Sequence, residues 1–294
     1  MNKGTWYGIA AYVMWGLFPV YWKWLKDVPA LQLICHRILW SCIILVCFII
    51  LTRQFKSFRD TAWIPAMIPI YTVTALLITI NWLVYVWAVN SGYVIEASLG
   101  YFINPLISIL MGIIFLHEHL RTWQWIPIGM ALLGVLFLTI TYGRLPWIAL
   151  SLAVSFSLYG LIKKTTPLNA LYGLTLETSL LFLPALLYLI YADCIGQGAF
   201  LHMGYRADLL MAGAGLMTTI PLLLFTSAVQ HMPLTLMGIL QYINPTLQFL
   251  LGVLVYKESF TQSRIAGFCI IWLALIILGV EGMLSRRKRV VVEA

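Results

Sequence analysis

The sequence predicts an all-α, polytopic membrane protein whose ten transmembrane helices form two inverted five-helix repeats. Three observations predict it. Apolar residues make up 62% of the 294 and charged residues only 10%, against about half and about a quarter in soluble domains. Uncharged runs close to the roughly 20 residues a helix needs to span the hydrocarbon core recur along the chain. The second half also repeats the first at a fixed offset of 140 residues. So few charges could not cover a soluble fold of this length, and a bilayer removes the need.

Taken in order, the runs place ten spans. Residues 4–22 follow Lys3 but are rich in Trp and Tyr, contain Pro19 and show no small-residue cleavage motif. They read as a retained first helix, not a signal peptide. Residues 30–51 give the second span, interrupted by His36 and Arg37. The stretch 61–95 holds the third and a turn at Asn90, Ser91 and Gly92; 97–116 is the fourth, 122–142 the fifth and 145–162 the sixth. Residues 169–192 form the seventh and contain Glu177. The run 209–256 is too long for one crossing, so Gln230, His231, Met232 and Pro233 are read as the turn between the eighth and ninth; 265–283 is the tenth.

Lys and Arg in the loops set the orientation. With the N-terminus inside, the inner segments hold eleven (Lys3, Arg53, Lys56, Arg59, Arg121, Lys163, Lys164 and the tail Arg286, Arg287, Lys288, Arg289) and the outer segments six. Both termini are therefore expected in the cytoplasm. The net charge of +8 reads as membrane anchoring, since no aromatic interleaving points to nucleic acid. Of five cysteines, four lie in apolar runs and none shows a paired spacing, so neither a disulfide framework nor a zinc motif is expected.

The repeat lays residues 101–118 over 241–258, where Ile103, Asn104, Pro105, Leu110, Gly112 and Glu118 meet identical residues. Apolar matches are cheap between membrane helices; Asn-Pro, Gly and Glu at one offset are not. Five helices per unit is an odd number, so the second copy enters the membrane upside down, as many secondary transporters do. The expected units are 1–143 and 144–285, followed by a basic cytoplasmic tail at 286–294.

Helical spacing puts Tyr101, Asn104, Ser108 and Gly112 on one face, and Gln241, Asn244, Gln248 and Gly252 on another. Such polar stripes suit a water-filled cavity or hydrogen bonds to neighbouring helices. Pro105 and Pro245 free the carbonyls of Tyr101 and Gln241 and favour kinks; both are expected hinges, although kinks are ordinary features of membrane helices. Arg37 and Glu177 are the deepest charges and superpose at the 140-residue offset. Either they meet or bind a zwitterion, or Arg37 snorkels and Glu177 pairs locally. Asn81 and Tyr159 complete the candidate substrate-binding set. Glu96 starts a helix, where its charge suits the dipole; Glu118 and Glu258 end helices and are expected to pair with His119, Arg121 or Lys257. His117, Glu118 and His119 lack the spacing of a helical zinc site, and no phosphate loop or nucleophile elbow is present. No catalytic residue, metal or cofactor is expected.

Pro105, Gly112 and Glu118, and again Pro245, Gly252 and Glu258, resemble the repeated core of EamA-type permeases in the drug/metabolite transporter superfamily. His36 to Ser41, Asn81-Trp82, Glu96 to Leu106 and Gln241 to Thr246 resemble its RarD branch. The resemblance runs from the first span to the tenth. It implies ten helices in two inverted halves, a central cavity, peripheral fifth and tenth helices, and a link to chloramphenicol sensitivity without a defined substrate. The expectation is a non-enzymatic permease of small organic metabolites or drugs in the bacterial inner membrane, an exporter working by alternating access, monomeric or weakly self-associating. A membrane-embedded enzyme or a non-transporting scaffold or receptor on the same fold is the alternative.

Overall fold

The computed structural model describes residues 3–256 other than Gly92, Arg121 and Arg144, together with Cys269, Ile270, Trp272, Leu273 and Ile277. All regular structure among the described residues is helical. The expected tenth helix lies largely outside them, and the basic tail, Lys257, Glu258 and Arg264 lie wholly outside.

The elements are α1 (Lys3–Lys23), α2 (Ala30–Leu51), α3 (Phe55–Ala62), α4 (Ile68–Asn90), α5 (Val94–Leu116), α6 (Trp125–Tyr142), α7 (Trp147–Thr165), α8 (Ala170–Cys194), α9 (Tyr205–His231), α10 (Leu234–Gln241) and α11 (Ile243–Leu250), which runs into a π-turn over Leu251–Val255. Among the described residues seven helical stretches are long and apolar enough to cross a membrane: α2, α4, α5, α7, α8, α9 and the composite Leu234–Val255. The 21 residues of α1 reach about 32 Å. Apolar side chains such as Leu76, Ile114, Leu133, Leu183 and Leu187 are exposed on the outer faces, which suits lipid and not water. The molecule is an all-helical, polytopic membrane protein.

Local sequence explains the boundaries. Pro29, Pro146 and Pro233 sit immediately before α2, α7 and α10, where a missing N–H is harmless. Asn169 caps α8, its side chain accepting from the Tyr172 N–H at 2.8 Å. Gly143 ends α6 with φ of 79°, a left-handed conformation that glycine adopts freely. The ninth expected span is not one helix. Pro245 cannot donate to the Gln241 carbonyl, and the Tyr242 N–H turns instead to Ile239 at 3.3 Å, separating α10 from α11. Pro105, at the matching position, lies within an unbroken α5. The short α3 was hidden in sequence because its eight residues carry Lys56, Arg59 and Asp60; it buries Phe58 and Ala62 and leaves its charges exposed.

In packing, α1 lies on α9, α4 on α7, α2 on α8 and α9, α5 on α7 and α10, and α1 on α11; α6 packs mainly on α5, at the edge. In lipid, close approach of small residues replaces much of the hydrophobic drive. A Cβ on Gly215 would stand 2.6 Å from Trp40 Cβ. Its absence lets α9 reach α2, where the Ser41 hydroxyl donates to the Gly215 carbonyl at 3.1 Å.

Candidate substrate cavity

A cavity of about 340 Å³ opens between α1, α2, α4, α5, α7, α9 and α10–α11. Its deepest walls are mid-helix residues such as Tyr12, Ile78, Asn104, Phe156 and Leu222. From there it reaches Trp22, Ala30, Val89 and Ala97 at helix ends. These are C-terminal ends of α1 and α4 and N-terminal ends of α2 and α5, which the antiparallel arrangement brings to one face. Toward the opposite face the bundle is filled by Tyr12, Tyr159, Phe225, Leu234 and Met237.

Seven of the ten expected site residues line this cavity: Arg37, Asn81, Tyr101, Asn104, Gln241, Asn244 and Gln248. Arg37 Nε donates to Thr218 Oγ1 at 2.9 Å. Its guanidinium carbon stands 4.1 Å from the Trp82 ring and 5.1 Å from the Trp22 ring, a contact that favours a planar cation. Asn81 Nδ2 donates to the Leu152 carbonyl at 2.8 Å and to Ser155 Oγ at 3.0 Å, joining α4 to α7. Tyr101 meets Tyr85 edge-on, with ring centres 5.8 Å apart.

Asn104, Ser157 and Gln241 meet beneath the cavity around Ser108, which is itself behind the wall. Ser157 Oγ donates to Asn104 Oδ1 at 2.9 Å and accepts from the Ser108 hydroxyl at 2.9 Å, and Gln241 Oε1 stands 3.4 Å from Ser108 Oγ. This ties α5, α7 and α10 together. Gln248 Nε2 donates to Asn244 Oδ1 at 2.8 Å. Both readings of the polar stripes thus apply: the same side chains bond neighbours and face the void.

Tyr159 and Glu177 stand apart from it. Glu177 Oε1 accepts from Lys163 Nζ at 2.9 Å and from Thr74 Oγ1, and Oε2 from the Tyr159 hydroxyl at 3.4 Å. The side chains of Lys163 and Glu177 are 1% and 2% exposed, so this is a fully buried ion pair. Arg37 and Glu177 do not pair; each has its own partner. Lys163, read from sequence as a loop charge beside Lys164, is inside the bundle. Half of the signal was available: a carboxylate in an apolar span needs a cation, and Lys163 and Lys164 end the preceding helix, but nothing in the sequence shows which of the two turns inward.

Glu118 also departs from expectation. Its carboxylate oxygens accept from the N–H groups of Leu234 at 2.7 Å and Thr235 at 2.8 Å, the first turn of α10. The dipole that stabilises Glu118 belongs to another helix. Gly112 makes room, since a Cβ there would lie 2.8 Å from Glu118 Oε2 and 3.1 Å from the Thr235 nitrogen. Glu96, beyond its place in the first turn of α5, accepts from the Ile148 N–H of α7 at 2.8 Å.

Comparison with known proteins places this architecture. Residues 2–140 match the EamA-like transporter family. The chain is 43% identical over 294 residues to Protein RarD of Streptomyces exfoliatus, covering 100% of this chain and 93% of that protein. It is 42% identical to an uncharacterized transporter of Vibrio cholerae, over 96% and 93% of the two chains, and 40% identical to Protein RarD of Escherichia coli, over 98% and 97%. A crystal structure only 17% identical in sequence matches with a TM-score of 0.70 over 94% of this chain and 97% of the other, a likeness of fold. The chain belongs to the RarD branch of the EamA-type transporters.

Proposed function

We propose that the protein moves small organic solutes across the bacterial inner membrane by alternating access, as an exporter, with the solute held in the cavity beside Arg37. One observation carries this reading. The cavity is walled by helices of both halves, runs from mid-membrane to a single face, and is closed toward the other by a packed apolar plug. A carrier needs such an arrangement, and needs its mirror image of similar energy.

The packing supports that mirror image. Exchanging α1 with α7, α2 with α8, α4 with α9 and α5 with α10–α11 maps the principal contacts onto one another. α1 on α9 becomes α7 on α4, α5 on α7 becomes α10–α11 on α1, and α2 on α8 maps to itself. On this reading residues 1–143 and 144–285 are the inverted units, each with five crossings, and Pro105 and Pro245 flank the moving contacts. The cytoplasmic face is the closed one, which carries the α3 charges and Lys164.

The test is a thermal-shift screen of the purified protein against metabolites and amphenicols, followed by proteoliposome flux on the hits. Stabilising solutes should cross faster than in protein-free vesicles. Binding without flux, across all hits, would point to a receptor or scaffold.

A further inference from the structure

Resting on the cavity as the substrate site, we infer that it selects organic anions: a compact apolar body bearing one carboxylate-like group that docks on Arg37. A cation at this depth is costly without a counter-charge or hydration. The only hydrogen bond of Arg37 among the described residues runs from Nε to Thr218, and no carboxylate among them lies within ion-pair distance. The two terminal nitrogens therefore keep their N–H groups for a ligand. Their fork geometry matches a carboxylate in a bidentate pair.

The rest of the lining agrees independently. Among the described residues it contains no Asp, Glu, Lys or His, so no carboxylate in it neutralises a ligand cation and none repels an anion. The amide oxygens of Asn104 and Asn244 accept from Ser157 and Gln248, and that of Gln241 lies beside the Ser108 hydroxyl. Their NH2 groups have no acceptor among the described residues, their side chains line the void, and donors suit a negative ligand. Trp15, Phe18, Trp22, Trp82 and Phe156 supply apolar walls, and about 340 Å³ is at the small end of ligand sites. The earlier alternative of a zwitterion held between Arg37 and Glu177 loses its second anchor, because Glu177 is engaged by Lys163.

The experiment is equilibrium binding of radiolabelled 3-phenylpropionate to the purified full-length protein, displaced by the isosteric 3-phenylpropanamide, by 3-phenylpropylamine and by phenylalanine. The carboxylate should bind roughly tenfold or more tightly than the amide, the order expected for charge-assisted hydrogen bonds, and more tightly than phenylalanine. Arg37→Gln should bring the affinities for carboxylate and amide together, with an unfolding midpoint in detergent like that of the wild type reporting an intact fold; Arg37→Lys should restore part of the preference. No saturable binding of the carboxylate, equal or tighter binding of the amide, amine or phenylalanine, or a preference that survives in Arg37→Gln would each overturn the inference. Proteoliposome flux separates it from the transport reading. Arg37-dependent binding without flux leaves the anion site and removes transport; flux of the amine or amide alone does the reverse.

Discussion

Lys163 and Glu177 show what a buried charge demands of its surroundings. Removing an ammonium and a carboxylate from water is costly, and their attraction offsets this only with good geometry and further hydrogen bonds. Thr74 and Tyr159 supply those bonds to Glu177. Lys163→Met alone, which strands the carboxylate, should destabilise the fold by about 3–5 kcal/mol. The double variant Lys163→Met, Glu177→Leu should recover most of that loss. Unfolding in detergent across the double-mutant cycle measures both, and strictly additive losses would show that the pair is not coupled. At this scale the sequence disclosed half of each arrangement. Arg37 and Glu177 stood out because charges are rare in apolar runs, whereas Lys163 was hidden by its neighbour Lys164 and by its place near a helix end. Which stripe residues face the void was legible from helical spacing for Tyr101, Asn104, Gln241, Asn244 and Gln248. The same spacing could not show that Ser108 sits one layer behind them.

Elements meet here through their ends as much as through their faces. The first turn of α10 has N–H groups with no partner inside the helix, and Glu118 takes two of them. Glu118→Ala should cost about 1–2 kcal/mol, as loss of a cap does, with Glu118→Gln between it and wild type. Gly112→Ala should be similarly damaging by overpacking, because the added Cβ meets both the carboxylate and the α10 backbone. Thermal unfolding of the three variants tests the assignment; a neutral Gly112→Ala would contradict it. The repeated Gly and Glu were plain in the sequence, but their purpose was not, since the partner helix begins 116 residues further along. Length and hydropathy placed the seven helical stretches able to cross a membrane closely among the described residues. They missed α3, which is too short and too charged for that signal, and the break before Pro245, because the same Asn-Pro pair leaves α5 unbroken.

For the molecule as a whole, the one-sided cavity makes a topological claim. Leu33 lines it, while Arg59 lies on α3 at the opposite face. In a cysteine-free background, Leu33→Cys should react with a membrane-impermeant thiol reagent from the periplasmic side and Arg59→Cys from the cytoplasmic side, in cells and in sealed inverted vesicles respectively. Labelling of both from one side would exclude the proposed orientation. The charge bias of the loops was readable without coordinates, and so was the sequence match at the 140-residue offset. The side on which the cavity opens was not, because the inverted repeat proposed above is equally consistent with either.

The carboxylates at the two ends of α5 have one more implication. Glu96 reaches α7 on one side of the membrane and Glu118 reaches α10 on the other, so a helix of the first half is bolted to the second half at both surfaces. Neither half is then self-sufficient during biogenesis. If the chain is divided between residues 143 and 144, each fragment exposes helix starts or carboxylates whose partners are on the other. Such fragments should be degraded when made singly and rescued when made together, a dependence read out by their abundance in membranes. On the proposed division, residues 1–143 and 144–285 would then mature as a single cooperative body.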